Sequence, residues 1–281
     1  MVTETASKTA ELRKGISKKE AFLLSSLSEN NKPIFEIKDI IHELGCSYNY
    51  AKVIANRLTK KKWVAPLEKG KYLIVPLEAG KESIYTEHEF IIASQLVEPY
   101  YIAYWSALNY HGMTEQVPFT VFVASTRRRK NKKIHDVRYE FITLSKNKFF
   151  GYTTANISGK NIFISDREKT IADCLDHLEY CGDLTEVAKA LWNARKKIDF
   201  KKLIDYAIKM NNRAILKRLG YIIHKLEIKI PEAIDKEIRH NISKGYAVLD
   251  IAKRAKGKYN SEWNLRINIS DKDLLESKVI H

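Results

Sequence analysis

Residues 36–76 read EIKDIIHELGCSYNYAKVIANRLTKKKWVAPLEKGKYLIVP, and they carry the strongest fold signal in the N-terminal part of the chain. Its pattern predicts two helices, Glu36 to Leu44 and Tyr48 to Lys62, joined by a tight turn at Gly45-Cys46-Ser47. Two short strands follow, with the turn Lys69-Gly70-Lys71 between them. This succession is typical of a winged helix-turn-helix, whose second helix enters the major groove of DNA.

Apolar residues at helical spacing support both helices. The buried face of the first is predicted at Ile37, Ile40, Ile41 and Leu44. The buried face of the second is predicted at Ala51, Ile54, Ala55 and Leu58. Gly45 suits the left-handed residue that ends a helix, and Ser47 can cap the next one. Upstream, Ser17 and Glu20 predict a capping box that opens a helix ending near Ser28.

The outward face of the second helix supplies the candidate DNA contacts. Recognition helices enter the groove N-terminus first, so base contacts are expected at Asn49, Tyr50 and Lys52. Other polar or basic residues of the helix and hairpin complete the predicted site: Ser47, Tyr48, Asn56, Arg57, Lys60, Lys61, Lys69 and Lys71. The alternative is an ordinary amphipathic helix with a solvated face. The basic hairpin directly after the helix favours DNA binding.

The residue pattern changes near residues 78–86, which predicts two domains, 1–80 and 81–281. In the second, strands are expected near 118–124, 137–144, 149–152 and 161–164, forming a small mixed or antiparallel sheet within about 81–165. Ser165 and Glu168 predict a capping box for a helix reaching about Tyr180. Further helices are expected near 183–196, 199–210, 212–227 and 231–242, a helical bundle within about 166–245. An extended piece at 263–268 is a candidate to return to the sheet. The predicted class is α+β.

Six of the seven residues from 127 to 133 are basic, and they separate two predicted strands. So much like charge is not buried unpaired, so an exposed loop is expected. A solvated hairpin tip is one interpretation. Contact with phosphate or with an acidic or RNA partner is favoured, because arginine suits bidentate phosphate contacts. The residues concerned are Arg127, Arg128, Arg129, Lys130, Lys132 and Lys133.

The net charge of +15 is concentrated in residues 1–80 and 182–255, around a nearly neutral middle. A basic surface attracts polyanions independently of their sequence, although a lysine-rich solvated surface gives the same count. The three cysteines show no metal-ligand spacing and indicate reduced thiols, so no metal is expected. No apolar run is long enough for a membrane span, and residues 1–14 lack the apolar core of a secretory signal. These features predict a cytoplasmic protein.

Catalytic constellations are not evident. His111, beside Gly112, is interpreted as a helix-end or packing residue. Asp166 and Asp173 lie two turns apart on one predicted helix, but Asp166 complements the helix dipole and Asp173 pairs with Lys169 four residues earlier. No phosphate-binding loop or hydrolase motif is present. No catalytic residue and no cofactor are predicted. A winged-helix protein-interaction module and a nucleic-acid-processing enzyme stay open as alternatives.

Several motifs carry a family resemblance. The run YWSALNYHG at 104–112, followed by Thr114-Glu115-Gln116 and Pro118, resembles the signature of AbiEi-type antitoxins. So do DREKTIAD at 166–173, KRLGY at 217–221 and WNLRIN at 263–268. With the N-terminal winged helix, the resemblance covers nearly the whole chain.

The resemblance implies a prokaryotic transcriptional regulator of a type IV toxin–antitoxin, or abortive-infection, operon. It implies that the winged helix represses the operon by binding an inverted-repeat operator in double-stranded DNA. The C-terminal domain is then expected to neutralise a nucleotidyltransferase-like toxin, without requiring a stable complex. One winged helix reads one half-site, so two chains are expected to meet on the DNA. The oligomeric state in free solution is left open.

Overall fold

The computed structural model describes residues 13–79, 87–134 and 136–276, in two compact units, Met1–Gln95 and Leu96–His281. Most of the predicted domain boundary near residues 78–86, and most of the polar lead-in at 1–14, lie outside the described residues. The chain has an α+β fold, with helices and several small sheets. No helix in the described ranges is both long and apolar enough to cross a membrane.

The first unit alternates helices with the strands of one small sheet. Its elements are α1 (Lys18–Glu29), β1 (Ile34–Glu36), α2 (Ile37–Leu44), α3 (Tyr48–Lys60), β2 (Val64–Glu68), β3 (Lys71–Ile74) and α4 (Glu89–Ser94). The antiparallel sheet has the order β1-β3-β2. Apolar faces of α1, α2 and α3 meet the sheet in one core, which includes Leu23, Leu27, Phe35, Ile40, Ile54 and Leu58.

Local capping fixes the ends of these helices. The Ser17–Glu20 capping box is confirmed, as are Gly45 in the left-handed region (φ 55°) and Ser47 as the cap of α3. The α3 helix ends at Lys60, two residues earlier than predicted. Lys62 adopts φ 62°, and the Trp63 amide bonds back to the Leu58 carbonyl, which closes the helix and starts the hairpin.

The second unit pairs a six-stranded mixed sheet with a set of helices. Its first elements are β4 (Tyr101–Ile102), α5 (Tyr104–Tyr110), β5 (Thr120–Ser125), β6 (Lys132–Ile134), β7 (Val137–Thr143), β8 (Tyr152–Ile157) and β9 (Lys160–Ser165). The sheet order is β6-β7-β5-β4-β9-β8, with parallel pairs β5/β7 and β4/β9. The helices are α6 (Arg167–Asp176), α7 (Leu184–Ala194), α8 (Phe200–Lys209), α9 (Arg213–Lys225) and α10 (Glu232–Asn241).

A separate three-stranded sheet follows, made of β10 (Ala247–Val248), β11 (Lys258–Asn260) and β12 (Leu265–Ile267), before α11 (Asp271–Leu275). The extended piece at 263–268 therefore does not return to the large sheet. It pairs with β10 in parallel and with β11 in antiparallel orientation. The buried Leu265 and Trp263 hold this small sheet on the helical core.

Three local predictions in the second unit are wrong. The cap of α6 is Asp166, whose carboxylate accepts a hydrogen bond from the Lys169 amide at 2.8 Å. Ser165 is instead the last residue of β9, and its hydroxyl is hydrogen-bonded to that of Thr170 in α6. The helix also ends at Asp176, and a 3-10 turn covers Leu178–Tyr180. Residues 149–151 form no strand, because Gly151 turns the chain at φ 70° directly against Lys169 before β8 begins.

The Lys169–Asp173 pair on α6 is fully buried, which the sequence analysis did not anticipate. The Lys169 ammonium also donates to the Tyr101 hydroxyl at 3.0 Å, and that hydroxyl donates to the Asp173 carboxylate at 3.0 Å. Asp166 bonds instead to Tyr206 and Lys202. Asp166 and Asp173 therefore have separate partners and do not converge on one site.

Candidate nucleic-acid interface

The polar face of α3 is an exposed helical surface of the first unit that combines basic, amide and aromatic groups. Burial of Ala51, Ile54, Ala55 and Leu58 against the core turns the other side of the helix to solvent. Eight exposed residues share that side: Tyr48, Asn49, Tyr50, Lys52, Val53, Asn56, Arg57 and Lys60. Seven of them, all but Val53, are predicted DNA contacts.

The start of α3 is held by its cap and by stacked side chains. Ser47 accepts the Tyr50 amide at 3.4 Å, which fixes the first turn. The Lys52 ammonium lies 4.5 Å from the centre of the Tyr48 ring, and that of Lys19 lies 5.8 Å from the Tyr50 ring. Cation–π contacts orient these lysines without neutralising them. Tyr48 and Lys52 therefore present a pre-positioned aromatic and basic pair.

Free positive charge lies along α3 and at the hairpin turn. In the described ranges, no carboxylate lies within 4.0 Å of Lys52, Arg57, Lys60 or Lys69. Lys69 is exposed in the two-residue turn between β2 and β3, where Gly70 supplies φ 80°. An anionic ligand at this surface would meet charges that no internal ion pair offsets.

Two predicted contact residues are engaged within the unit. The Lys61 ammonium lies 2.6 Å from the nearly buried Glu20 carboxylate. Lys71 lies at the start of β3, with its ammonium 3.3 Å from Glu36 and 3.5 Å from Glu68, and it also donates to the Gln95 carbonyl. Both lysines tie elements of the unit together.

Val53 and Lys19 were missed by the sequence analysis. Val53 is 42% exposed and lies one turn after Asn49 on the outward face. A valine in that position offers methyl groups of the kind that contact a thymine methyl. Its outward position follows from the same spacing that buries Ile54. Lys19 belongs to α1, and no local pattern places it beside Tyr50.

The basic segment 127–133 lies at the edge of the six-stranded sheet. The prediction of one exposed loop is wrong at its end, because Lys132 and Lys133 belong to β6 and pair with β7. Asn131 starts this pairing by accepting the Phe141 amide at 3.0 Å. Arg129 is half-buried, with its guanidinium 5.4 Å from the centre of the Phe141 ring. The exposed basic residues of the segment are Arg127, Arg128, Lys130 and Lys133.

Like charges face each other across this edge. Lys133 is directly opposite Arg138 in the β6/β7 register, and such pairs are unfavourable without a counter-charge. The carboxylates nearest to them are Asp136, 3.9 Å from Lys133, and Glu140, 3.5 Å from Arg138. An anion bound at this edge would relieve the remaining repulsion.

His111 is a packing residue in the second unit. It ends α5, and its Nε2 atom lies 2.7 Å from the Ser165 carbonyl oxygen. Burial lowers the pKa of the imidazole, so the ring is neutral at pH 7 and donates its proton to that carbonyl. This hydrogen bond joins α5 to the end of β9.

Comparison with known proteins gives a likeness of fold. No family model matches the chain. The crystal structure of the RV2827C protein from Mycobacterium tuberculosis is similar with a TM-score of 0.68 at 12% sequence identity, over 95% of this chain and 97% of that one. The chloroplastic chaperonin GroEL of Cyanidium caldarium is 38% identical over 80 residues, 26% of this chain. The match spans only 15% of the chaperonin.

Proposed function

We propose that the chain is a DNA-binding repressor and antitoxin of the AbiEi type, whose first unit is a winged helix with α3 as its recognition helix. One observation carries the DNA-binding part. The solvent face of α3 combines amides with unpaired Lys52, Arg57 and Lys60, and the basic β2–β3 turn follows it. Amide and cationic side chains are the groups that read base edges and grip phosphates.

The proposed roles divide along α3. Asn49 and Lys52, in the first turns of the helix, contact base edges, with Tyr50 and Val53 beside them. Arg57, Lys60 and the hairpin residue Lys69 contact phosphates. Two chains occupy the half-sites of an inverted repeat upstream of the chain's own operon, as expected for one reading helix per chain.

The antitoxin role belongs to the second unit and rests on the family resemblance. The motifs at 104–112 and 166–173 lie in α5 and at the start of α6, and the basic edge at 127–133 offers a surface for an acidic or phosphate-bearing partner. The proposed target is a nucleotidyltransferase-like toxin in the cytoplasm of a prokaryote. Its gene is expected directly beside this one.

Fluorescence anisotropy with a duplex from upstream of the operon, and a scrambled duplex of equal length, tests the DNA-binding part. The double variant Asn49→Ala with Lys52→Ala is expected to lose the preference for the operator, because its base contacts are removed. Loss of a good base contact weakens discrimination by about 1–3 kcal/mol, or about 5- to 150-fold. Lys69→Ala is expected to weaken binding to both duplexes about equally.

Lys229→Ala is the charge-matched control, since Lys229 is an exposed lysine of the second unit. It is expected to bind both duplexes like the wild type. An unchanged operator preference in the Asn49→Ala, Lys52→Ala variant would show that α3 is not the reading helix.

A further inference from the structure

The small sheet β10-β12-β11 presents two exposed tyrosines on its outer face. Leu265 and Ile267 of β12 point toward the helical core, so the alternate residue Arg266 points the other way. Tyr259 is directly opposite Arg266 in the register, and its ring packs under the guanidinium at 5.4 Å. Tyr246 packs edge-on against Tyr259, with ring centres 4.9 Å apart. Tyr246 is 51% exposed and Tyr259 is 64% exposed.

Unpaired positive charge lies in the segments that lead into β10 and β11. Between residues 243 and 257, the exposed basic residues with no carboxylate of the described chain within 4.0 Å are Lys244, Arg254 and Lys256. Lys258 is opposite Ile267 in the register and therefore lies on the other face of the sheet. Nearby acidic groups are already engaged: Glu262 pairs with Arg239 at 2.9 Å, and Asp250 is buried. The Arg266 Nε atom is buried and has no hydrogen-bond partner among the described residues. The face is therefore aromatic and carries Arg266, and the segments that lead into it are basic.

The helical core holds this face rigidly. Arg218 on α9 donates to the carbonyls of Val248, Leu249 and Leu175, and the neighbouring Lys217 donates to the Gly245 carbonyl. Asn268 anchors the loop that carries Arg254 by bonding to the carbonyls of Asp250 and Arg254 at 2.7 and 3.2 Å. The tyrosines and lysines consequently stand on a scaffold that does not need to be ordered by a ligand.

We propose that this surface binds single-stranded nucleic acid. The tyrosine face consists of Tyr246, Tyr259 and Arg266, and the basic residues of the segments leading into it are Lys244, Arg254 and Lys256. Aromatic rings on an open sheet stack unpaired bases, and flanking lysines and arginines follow the phosphates. Bases within a duplex are stacked on each other and cannot reach the rings. The site is separate from α3 and does not depend on the operator-binding proposal.

Anisotropy of the full-length protein with labelled oligouridine, oligothymidine and a duplex of equal length tests the proposal. Both single strands are expected to bind more tightly than the duplex, and a preference for oligouridine would identify RNA as the ligand. Tyr246→Ala and Tyr259→Ala are each expected to raise the Kd for single strands at least about fivefold, since one stacked base contributes about 1–3 kcal/mol. Tyr259→Phe keeps the ring and is expected to stay within about twofold of the wild type.

The charge contribution is measured separately. Lys244→Gln with Lys256→Gln is expected to lower the slope of log K against log salt by about 1.4, from about 0.7 per phosphate contact on single strands. Tyr110→Ala, which removes a 44% exposed tyrosine of α5, is the matched control and is expected to bind like the wild type. Thermal unfolding of each variant shows whether the sheet is retained.

The proposal would be overturned if the wild type did not bind single strands, if it preferred the duplex to both single strands, or if both tyrosine-to-alanine variants kept wild-type affinity. Loss of single-strand binding in the Asn49→Ala, Lys52→Ala variant would also overturn it, by assigning that binding to α3. Retained operator preference in the tyrosine variants, together with their lost single-strand binding, is the expected pattern. This pattern would show that operator binding and single-strand binding use different sites, so either proposal can be contradicted without the other.

Discussion

Glu20 shows how a single residue links the predicted reading helix to the rest of its unit. Its side chain is nearly buried, where its carboxylate accepts the Ser17 amide at 2.7 Å and the Lys61 ammonium at 2.6 Å. Burial alone would raise its pKa, but the Lys61 ammonium and the Ser17 hydrogen bonds outweigh burial and hold the pKa of Glu20 below the ordinary 4.5. The ionised carboxylate thus ties the start of α1 to the end of α3.

Glu20→Gln is expected to lower the free energy of unfolding by about 1–3 kcal/mol at neutral pH, because it leaves a charge-assisted network incomplete. The pKa of Glu20 is lower in the folded protein than in the unfolded chain, so its ionised form stabilises the fold. This stability is fully present above the pKa of the unfolded chain and is lost as the pH falls through the pKa of the folded protein. The difference from the wild type should therefore shrink below about pH 4. Urea denaturation across this range measures it.

The exposed Glu29, at the end of α1, provides the control. Glu29→Gln is expected to match the wild type within about 0.5 kcal/mol at each pH. A Glu20→Gln deficit that persists undiminished in acid would show that Glu20 acts through packing and not through its charge.

Among the elements, α9 and the small C-terminal sheet depend on one close contact. A Cβ atom at Gly220 would lie 2.0 Å from the Trp263 ring, so the ring reaches its buried position only because this helical residue is glycine. The KRLGY and WNLRIN motifs of the sequence thus meet in space: Lys217, Arg218 and Gly220 hold the sheet that Trp263 and Leu265 dock. These residues act as a scaffold.

Gly220→Ala is expected to destabilise the protein by about 1–3 kcal/mol, since the overpacking outweighs the gain of about 1 kcal/mol in helix propensity. Gly245→Ala is the control, because no atom lies within 4 Å of the added Cβ. It should unfold within about 0.5 kcal/mol of the wild type. Thermal or urea unfolding measures both, and equal stability of the two variants would show that Trp263 can move away without loss.

The periodicity of the sequence predicts the helices well, but it does not predict ion pairs or strand partners that are distant in the sequence. The spacing of Ile215, Leu219 and Ile222 correctly predicts α9. The apolar spacing in α3 correctly predicts its buried side, and the remaining residues therefore form its exposed side. The ion pair of Lys61 with Glu20 joins residues 41 positions apart, and no local pattern reveals it. Strand partners are similarly non-local, so the separate sheet around β12 was missed. At the start of α6, two adjacent residues could both cap, and packing of Ser165 within β9 left the role to Asp166.

Across the whole molecule, the charge of +15 is divided among several surfaces, for which we propose different partners. The first unit carries the proposed duplex-reading face on α3. The second carries the basic edge at 127–133 and the tyrosine face. A protein with several cationic surfaces binds polyanions unspecifically at low salt, so operator preference is expected to emerge only as salt rises and phosphate contacts weaken.

The position of α3 on the operator is the decisive test of whether α3 is the recognition helix. Val53→Cys, made in a Cys46→Ser background and labelled with an iron chelate that cleaves nearby DNA, places the cutting group on the outward face without altering Asn49 or Lys52. Cys174 and Cys181 are buried and are not expected to react. The control is the Cys46→Ser protein without the Val53→Cys change, treated with the same iron chelate. Cleavage is predicted at two symmetric half-sites whose centres are about 34–36 Å, or a multiple of that spacing, apart. Cleavage spread evenly along the duplex, or equal to that of the Cys46→Ser control, would contradict α3 as the recognition helix.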